Sequence, residues 1–151
     1  MAVAAILLVT GFFTVPARAE QPYVIGVDIT NQIVTVYDNN NRTESGIVAQ
    51  MICSTGASSG STPVGTFTMP KPWYSTERKQ WYYFSPGTWG QYASRIVGHI
   101  LFHSYLYSSK GSAPIKSTVA ALGSPASHGC VRLRPEDAKW IAENALPGTV
   151  V

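Results

Sequence analysis

Residues 25–37 read IGVDITNQIVTVY and predict a β-hairpin. Apolar residues alternate with small or charged ones over 25–29, which is the period-2 pattern of a half-buried strand. Asn31 and Gln32 can reverse the chain, and β-branched residues then fill 33–37 as a return strand. The sequence therefore predicts antiparallel β structure from residue 25 onward.

The segments beyond this hairpin extend the same prediction. Asn and Asp residues at 38–41 favour a second turn, and 56–63 is a small, flexible loop. Further strands are expected at 47–54, 65–69, 95–105 and 149–151. One helix is predicted from Pro135, which suits the first helical position, to the breaker at Pro147-Gly148. The expected fold is mainly β, a mostly antiparallel sandwich or barrel with one C-terminal helix.

Two segments between the predicted strands have unusual composition. Aromatic residues are concentrated within 73–92, on a segment that also carries Pro and Gly. They are Trp73, Tyr74, Trp81, Tyr82, Tyr83, Phe84, Trp89 and Tyr92. Such a cluster fits either a hairpin that forms an active-site lid or binding wall, or a second small core. Residues 108–127 form a long Ser/Gly/Ala/Pro loop, which in a compact domain is more often functional than idle.

Length and composition limit the function classes. The 151 residues are 45% hydrophobic, which fits one globular domain with a sizeable core. The net charge is only +3, and no run of Lys or Arg forms a basic stripe, so nucleic acid is a poor candidate partner. Two cysteines cannot make a disulfide framework, although one bridge between Cys53 and Cys130 remains possible.

The N-terminal segment predicts export. Residues 2–15 are almost wholly apolar and lead into Ala17-Arg18-Ala19, a small-x-small cleavage pattern. We expect a signal peptide at 1–19 and a mature domain at 20–151, located in the periplasm, cell wall or extracellular space. The usual cationic start is missing, so retention as an anchor or a buried N-terminal element is the alternative. No later stretch approaches the length of a membrane span, so stable membrane insertion is not expected after cleavage.

The strongest chemical motif is Ser127-His128-Gly129-Cys130. A thiol reacts as its thiolate, which a polar or positive neighbourhood favours, and His128 and Arg132 are close in sequence. Gly129 allows the backbone to approach a ligand closely. The amides of Gly129 and Cys130 could then point at a developing oxyanion. This pattern indicates a nucleophilic cysteine.

A matching base is found upstream. His103, followed by Ser104, stands near the end of the predicted strand 95–105, where a side chain is firmly placed. A Cys paired with a His supplies a nucleophile together with a proton shuttle. His99, four residues earlier, is expected on the same strand face, but we do not assign it to the site. Cys53 is interpreted as a small core residue because it sits in a strand pattern without a nearby His.

Taken together, these motifs resemble the L,D-transpeptidase catalytic domain of the YkuD type. The resemblance rests on His103-Ser104, the long loop and residues 127–132, and it extends to 53–56, to 62–67 and to the C-terminal helix and tail. The order of motifs covers nearly all of 23–151. Arg132 stands where the family pattern as first described has Asn.

The resemblance implies a β-sandwich-like peptidoglycan enzyme and assigns roles to individual residues. Cys130 would be the nucleophile, His103 the general base and acid, and the amides of Gly129 and Cys130 the oxyanion donors. Ser104 would orient His103. The implied supporting and substrate-binding residues are Ser104, Ser127, His128 and Arg132. No metal and no organic cofactor is required.

The implied reaction is acyl transfer on peptidoglycan stem peptides. Cys130 would attack the bond between the L-centre of a diamino acid and the terminal D-alanine, and the resulting thioester would pass to an acceptor amine. A stem amine would give a cross-link and a lipoprotein amine would give protein anchoring. Water as acceptor would give an L,D-carboxypeptidase on the same scaffold. A carbapenem is an expected covalent inhibitor.

Three other functions are kept as alternatives. A zinc site is conceivable from the two cysteines and three histidines, but their spacing matches no compact zinc pattern. A redox pair of Cys53 with Cys130 would suit an oxidising exterior. A non-catalytic cell-wall-binding module would bind the wall without reacting through Cys130.

Overall fold

The first sheet is the predicted β-meander. The computed structural model describes residues 21–151, and the predicted signal peptide lies outside this range. Strands β1 (Tyr23–Asp28), β2 (Ile33–Asp38) and β3 (Ile47–Ile52) pair antiparallel in the order β1-β2-β3. A short 3-10 turn, Glu44–Gly46, leads into β3. The mainly β fold with a C-terminal helix is thus confirmed.

The turn between β1 and β2 is built by polar side chains. The Asp28 carboxylate accepts the backbone N–H groups of Thr30 and Asn31 at 2.9 Å. Gln32 has a φ of 58° and is 1% exposed, and its amide group donates to the Ile29 carbonyl at 2.6 Å and to the Thr55 hydroxyl at 2.8 Å. These bonds satisfy the buried amide and fix the hairpin register.

The aromatic segment forms a second hairpin, β4 (Tyr82–Phe84) with β5 (Thr88–Gly90). We call it the aromatic hairpin. Its rings pack on one another, with centroids 5.1 Å apart for Tyr83 and Trp89. Trp89 and Tyr107 exchange two backbone hydrogen bonds of 2.8 Å, which tie the hairpin to the segment that follows residue 104. Of the two alternatives for this segment, the structure shows a hairpin, and its role as an active-site lid stays a prediction.

The second sheet contains β6 (Ser94–Val97), β7 (Ile100–Ser104) and β8 (Val131–Leu133). The prediction of one strand over 95–105 is wrong, because β6 and β7 are antiparallel partners joined by Gly98 and His99. Gly98 has a φ of 50°, a conformation that glycine adopts readily and that a tight hairpin turn requires. Strand β8 pairs parallel with β7.

Two helices complete the described chain. The predicted C-terminal helix is α2 (Pro135–Asn144), which buries Ala138, Ile141 and Ala142 against the second sheet. A five-residue helix that the sequence did not indicate, α1 (Lys116–Ala120), lies within the long loop 108–127. Within residues 21–151, neither helix has the length and apolar character needed to cross a bilayer.

One apolar core lies between the two sheets and α2. Its largest fully buried members are Phe102, Ile25, Met69, Leu133 and Ile141. Cys53 is also fully buried there, as the sequence predicts. The prediction of strands at 65–69 and 149–151 is wrong. These segments are instead joined by backbone bonds between Phe67 and Val151 and by an isolated bridge at Val150. They close the core beside β1.

Candidate active site

The parallel pairing of β7 with β8 brings the two motif halves together. Phe102 is register partner of Val131, and His103 is partner of Arg132. Side chains alternate between the faces of a strand, so Phe102 and Val131 point into the core while His103 and Arg132 share the opposite face. Cys130 enters β8 one residue before Val131 and therefore joins His103 and Arg132 on that face.

A cleft of about 420 Å³ opens over this face of the sheet. Cys130 and His103 both line the cleft, with Arg132 beside them. Phe84 and Pro86 of the aromatic hairpin form its opposite wall. The remaining lining residues are Ser85, Thr88, His99, Ile100, Leu106, Ser127 and His128. The thiol and the imidazole thus line the same cleft.

The His103 imidazole is held in one orientation. Its Nδ1 lies 2.6 Å from the backbone carbonyl oxygen of Ser104, which can only accept a hydrogen bond. Nδ1 therefore carries the proton and Nε2 is left with a free lone pair. The Ser104 hydroxyl accepts from the Gln91 amide at 2.8 Å and donates to the Tyr105 carbonyl at 2.7 Å. This network links the imidazole to the chain that follows the aromatic hairpin.

Burial keeps the imidazole neutral. His103 is 2% exposed, and the ring centroid of Phe84 lies 4.4 Å from its own. Desolvation lowers the pKa of His103 to about 3; the bond to Ser104 opposes this shift and the charge of Arg132 adds to it. A Cβ on Gly90 would lie 2.8 Å from Phe84 and 3.1 Å from His103 Nδ1, so a glycine there permits this close packing.

This lowered pKa predicts a loss of stability in acid. Between pH about 6.5 and about 3 the unfolded chain binds a proton at residue 103 that the folded protein does not bind. His103 should therefore lower the free energy of unfolding by up to about 1.4 kcal/mol per pH unit as the pH falls through this window. Urea unfolding of wild type and His103→Asn between pH 7 and 4 measures the difference. Parallel stability profiles for the two proteins would contradict the assignment.

Cys130 is a protonated, partly shielded thiol in this arrangement. Its Sγ lies 3.5 Å from the carbonyl oxygen of His99 in the β6–β7 turn, within the range of a weak S–H hydrogen bond. Burial raises the pKa of Cys130, while a backbone hydrogen bond from Leu101 and the charges of Arg132 and Arg95 act in the opposite direction. The resting site consequently holds a neutral thiol and a neutral imidazole in the same cleft.

The loop before Cys130 is fixed by its own serine. Ser127 Oγ donates to the Cys130 carbonyl at 2.6 Å and accepts the Gly129 N–H at 2.9 Å. The Gly129 amide is therefore engaged within the loop in this conformation, and its role as an oxyanion donor stays a prediction. Among residues 21–151, the Cys130 N–H makes no hydrogen bond to another group and is the available donor.

Gly129 meets a steric requirement at this position. Its φ is 142°, and a Cβ there would lie 2.4 Å from the Ser61 carbonyl oxygen and 2.8 Å from the Ile100 side chain. The Gly129 carbonyl accepts a hydrogen bond of 2.7 Å from Thr62, whose hydroxyl in turn accepts the Gly56 amide. The loop 56–63 thus supports the backbone that presents the thiol.

The family follows from comparison with known proteins. The model of the L,D-transpeptidase catalytic domain, YkuD, matches residues 22–151. The chain belongs to this family. Among curated proteins, this L,D-transpeptidase domain is 29% identical over 148 residues to YciB of Bacillus subtilis (strain 168), a protein assigned to the L,D-transpeptidases, and the match covers 92% of the chain and 72% of YciB.

Solved L,D-transpeptidases share its fold. One structure in complex with imipenem matches with a TM-score of 0.63 at 21% identity, over 85% of this chain and 57% of that one. L,D-transpeptidase 3 from Mycobacterium tuberculosis, in complex with a faropenem-derived adduct, matches with a TM-score of 0.61 at 24% identity, over 86% and 59%. The present chain spans less than two thirds of the length of these solved chains.

Two other residues predicted for the L,D-transpeptidase site, His128 and Arg132, differ in how far they are buried. His128 is exposed at the rim of the cleft, and Arg132 is half-buried with Nη1 3.4 Å from the Ala126 carbonyl.

Both cysteines are free thiols, and burial raises the pKa of Cys53 to about 12. Within residues 21–151, no group of three or more His, Cys, Asp or Glu is placed to hold a metal ion.

The sequence did not indicate a second chamber of about 190 Å³ beside the cleft. Cys130 and His99 line both spaces, and Arg95 lines only the smaller one. His99 lies in the β6–β7 turn instead of on a shared strand with His103, which corrects the expected common face. In the sequence, the position of Arg95 at the start of the apolar run 95–102 was the signal that could have marked it as a buried charged residue.

Proposed function

We propose that this domain is an exported peptidoglycan L,D-transpeptidase with Cys130 as nucleophile and His103 as base. The main support is that both side chains line one cleft, with Nδ1 of the imidazole committed to the Ser104 carbonyl. Nε2 is then the lone pair available for the thiol proton. The predicted roles of Ser127, His128 and Arg132 in shaping the donor site form part of the same proposal.

Proton transfer accompanies the attack in this mechanism. The thiol and the imidazole both start neutral, because burial raises the pKa of Cys130 and lowers that of His103. As Sγ approaches the carbonyl carbon of the third stem residue, its proton moves to Nε2. The negative charge then develops on the substrate oxygen, where the Cys130 amide donates a hydrogen bond. One such donor typically contributes on the order of 10²-fold or more to the rate.

Departure of D-alanine completes the first half-reaction. The imidazolium of His103 gives its proton to the leaving nitrogen, the C–N bond breaks, and a thioester remains on Cys130. An acceptor amine then attacks the thioester, the C–S bond breaks, and the sulfur leaves as a thiol after proton transfer through His103. Residues of the aromatic hairpin line the cleft, and exclusion of water by them would favour aminolysis over hydrolysis.

Transfer is tested with a disaccharide tetrapeptide as the only substrate. We expect release of free D-alanine together with a cross-linked dimer, both detected by mass spectrometry. Release of D-alanine with tripeptide alone would make the protein an L,D-carboxypeptidase. Wall binding with no release of D-alanine and no imipenem adduct would make it a non-catalytic wall-binding module.

Export is proposed from the sequence of the first 19 residues. Expression of the full chain in a bacterial host, followed by fractionation, tests it. A secreted or periplasmic product whose N-terminus lies near Glu20 is expected. Retention of the intact chain inside the cell would overturn the proposal.

A further inference from the structure

The peptide group that joins Gly129 to Cys130 is held by a side chain outside the cleft. The Thr62 hydroxyl donates to the Gly129 carbonyl oxygen at 2.7 Å and accepts the Gly56 N–H at 2.8 Å. Thr62 is half-buried in the loop 56–63 and is not one of the residues that line the cleft. Any influence of Thr62 on the reaction therefore passes through the backbone that presents the thiol.

The loop that carries Thr62 is itself firmly held. The Ser61 hydroxyl donates to the Ser58 carbonyl at 2.7 Å, and the Ala57 N–H donates to the Ser127 carbonyl at 2.8 Å. The contact with Gly129 is also close, since a Cβ there would lie 2.4 Å from the Ser61 carbonyl oxygen. The Thr62 hydroxyl thus has a fixed position relative to the loop before Cys130.

The bond from Thr62 sets the direction of the Cys130 N–H. The peptide bond between Gly129 and Cys130 is trans. In a trans peptide the C=O and the N–H lie in one plane and point in opposite directions. Because Thr62 holds the carbonyl end of this plane, the Cys130 N–H at its other end points away from Thr62. A rotation of the plane that redirected the N–H would break the hydrogen bond to Thr62.

The two neighbouring peptide groups are fixed by Ser127. Its hydroxyl accepts the Gly129 N–H at 2.9 Å and donates to the Cys130 carbonyl at 2.6 Å. Three consecutive peptide groups are therefore held, and among residues 21–151 the Cys130 N–H is the donor within them that makes no hydrogen bond. A donor whose direction is fixed before the substrate binds needs no reorganisation when charge develops on a substrate oxygen.

The same bond also strengthens the Cys130 N–H as a donor. A hydrogen bond to the carbonyl end of a peptide group polarises the N–H at its other end. The Gly56 N–H, the Thr62 hydroxyl and the Gly129 carbonyl form a chain of this kind that ends at the Cys130 N–H. Each bond in such a chain is strengthened by about 10–30%.

We infer that Thr62 is a positioning residue for acyl transfer, whose hydroxyl orients and polarises the Cys130 amide toward the substrate oxygen. This inference rests on the proposed function, in which that amide stabilises the negative charge of the tetrahedral intermediate. Thr62 makes no contact with the sulfur and forms no covalent bond. It acts in the steps in which a carbonyl oxygen becomes negatively charged, and it has no part in reactions of the sulfur that form no such oxygen.

Two reactions of the same sulfur separate these cases. Acylation by imipenem passes through a negatively charged carbonyl oxygen. In alkylation by iodoacetamide a C–S bond forms as iodide leaves, and no carbonyl oxygen becomes charged. Both rates are measured by intact-mass spectrometry, and peptide mapping assigns each label to Cys130.

Thr62→Val keeps the branched shape of the side chain and removes its hydroxyl. We expect the rate of acylation by imipenem to fall at least about tenfold, because the Cys130 amide loses its fixed direction. The rate of alkylation should stay within about twofold of wild type, since the thiol and His103 are unchanged. Thr62→Ser restores the hydroxyl and should recover acylation to within about threefold of wild type.

The carbonyl group of the imipenem adduct provides a spectroscopic readout. A hydrogen bond to the thioester oxygen weakens the C=O bond and lowers its stretching frequency. The infrared difference spectrum of the Thr62→Val adduct should therefore show this band at a higher wavenumber than the wild-type adduct. The Thr62→Ser adduct should show it at the wild-type position.

Thr118→Val is the matched control. The Thr118 hydroxyl donates to the Ile115 carbonyl at 2.8 Å and accepts the Leu106 N–H at 3.0 Å, so the substitution removes the same two kinds of hydrogen bond in another loop. We expect the acylation rate, the alkylation rate and the carbonyl band to match those of wild type.

Three results would overturn the inference. Equal losses of acylation and alkylation in Thr62→Val would mean that Thr62 only holds the sulfur in place. Wild-type acylation in folded Thr62→Val, or a Thr62→Ser enzyme as slow as Thr62→Val, would show that the hydroxyl has no such role. Thr62→Ala places no branched side chain against the Gly129 carbonyl and provides the same comparison if Thr62→Val does not fold. Absence of an imipenem adduct in wild type would instead reject the proposed function.

Discussion

Cys130→Ala should form no adduct with imipenem and should release no D-alanine from a tetrapeptide. The substitution removes the only sulfur that residues 21–151 contribute to the cleft, whereas the surrounding loop keeps its hydrogen bonds through Ser127 and the backbone. Activity should fall by on the order of 10⁴-fold or more, since no thioester can form. Intact-mass spectrometry after incubation with imipenem measures the adduct directly.

Cys53→Ala is the matched control for this experiment. It makes the same chemical change at a thiol that is 0% exposed in the core, where burial raises its pKa to about 12. The variant should lose roughly 1 kcal/mol or more of stability through the lost packing, yet it should keep the full imipenem adduct. An adduct that persists in Cys130→Ala and disappears in Cys53→Ala would reverse the assignment of the nucleophile.

His103→Asn should lower the rate of acylation by about 10²- to 10⁴-fold at neutral pH. The asparagine amide can still donate to the Ser104 carbonyl, so the local backbone keeps its partner, but no lone pair remains to accept the thiol proton. Attack then requires the thiolate, whose pKa is raised by burial. The acylation rate should therefore rise about tenfold per pH unit into the alkaline range.

The pH dependence identifies which imidazole acts as base. His99 and His128 also line the cleft, and His→Asn substitutions at all three positions can be compared under the same conditions. We expect the rate of only His103→Asn to take on the steep alkaline dependence. A His103→Asn enzyme with the wild-type pH profile, or the steep profile in one of the other two variants, would contradict the assignment of His103.

The sequence predicted those elements whose pattern is local. The β1–β2 hairpin follows from alternation over 25–37, and α2 follows from its N-terminal Pro135 and its apolar spacing. Burial of Cys53 followed from the apolar strand around it. The identities of the cleft residues Cys130 and His103 also came from short motifs. Such features depend on neighbours within a few residues, which a single sequence displays.

The errors involve pairings between distant segments. The turn at Gly98 and His99 was hidden because apolar residues continue on both sides of it. Segments 67–69 and 149–151 pair with one another, and whether such a pair counts as strand depends on partners far along the chain. The second chamber arises where β6, the aromatic hairpin and Cys130 meet. The periodicity of a single segment does not indicate which distant segments lie next to it in the fold.

The parallel pairing of β7 with β8 also determines when the reactive centre exists. The imidazole lies on β7 and the sulfur lies just before β8. These two strands pair only after the connection between them, which includes α1, has folded. Long-range parallel contacts of this kind form late relative to local turns. An unfolded chain would thus lack the paired imidazole and sulfur, and the ability to form a thioester would appear only when the core is complete.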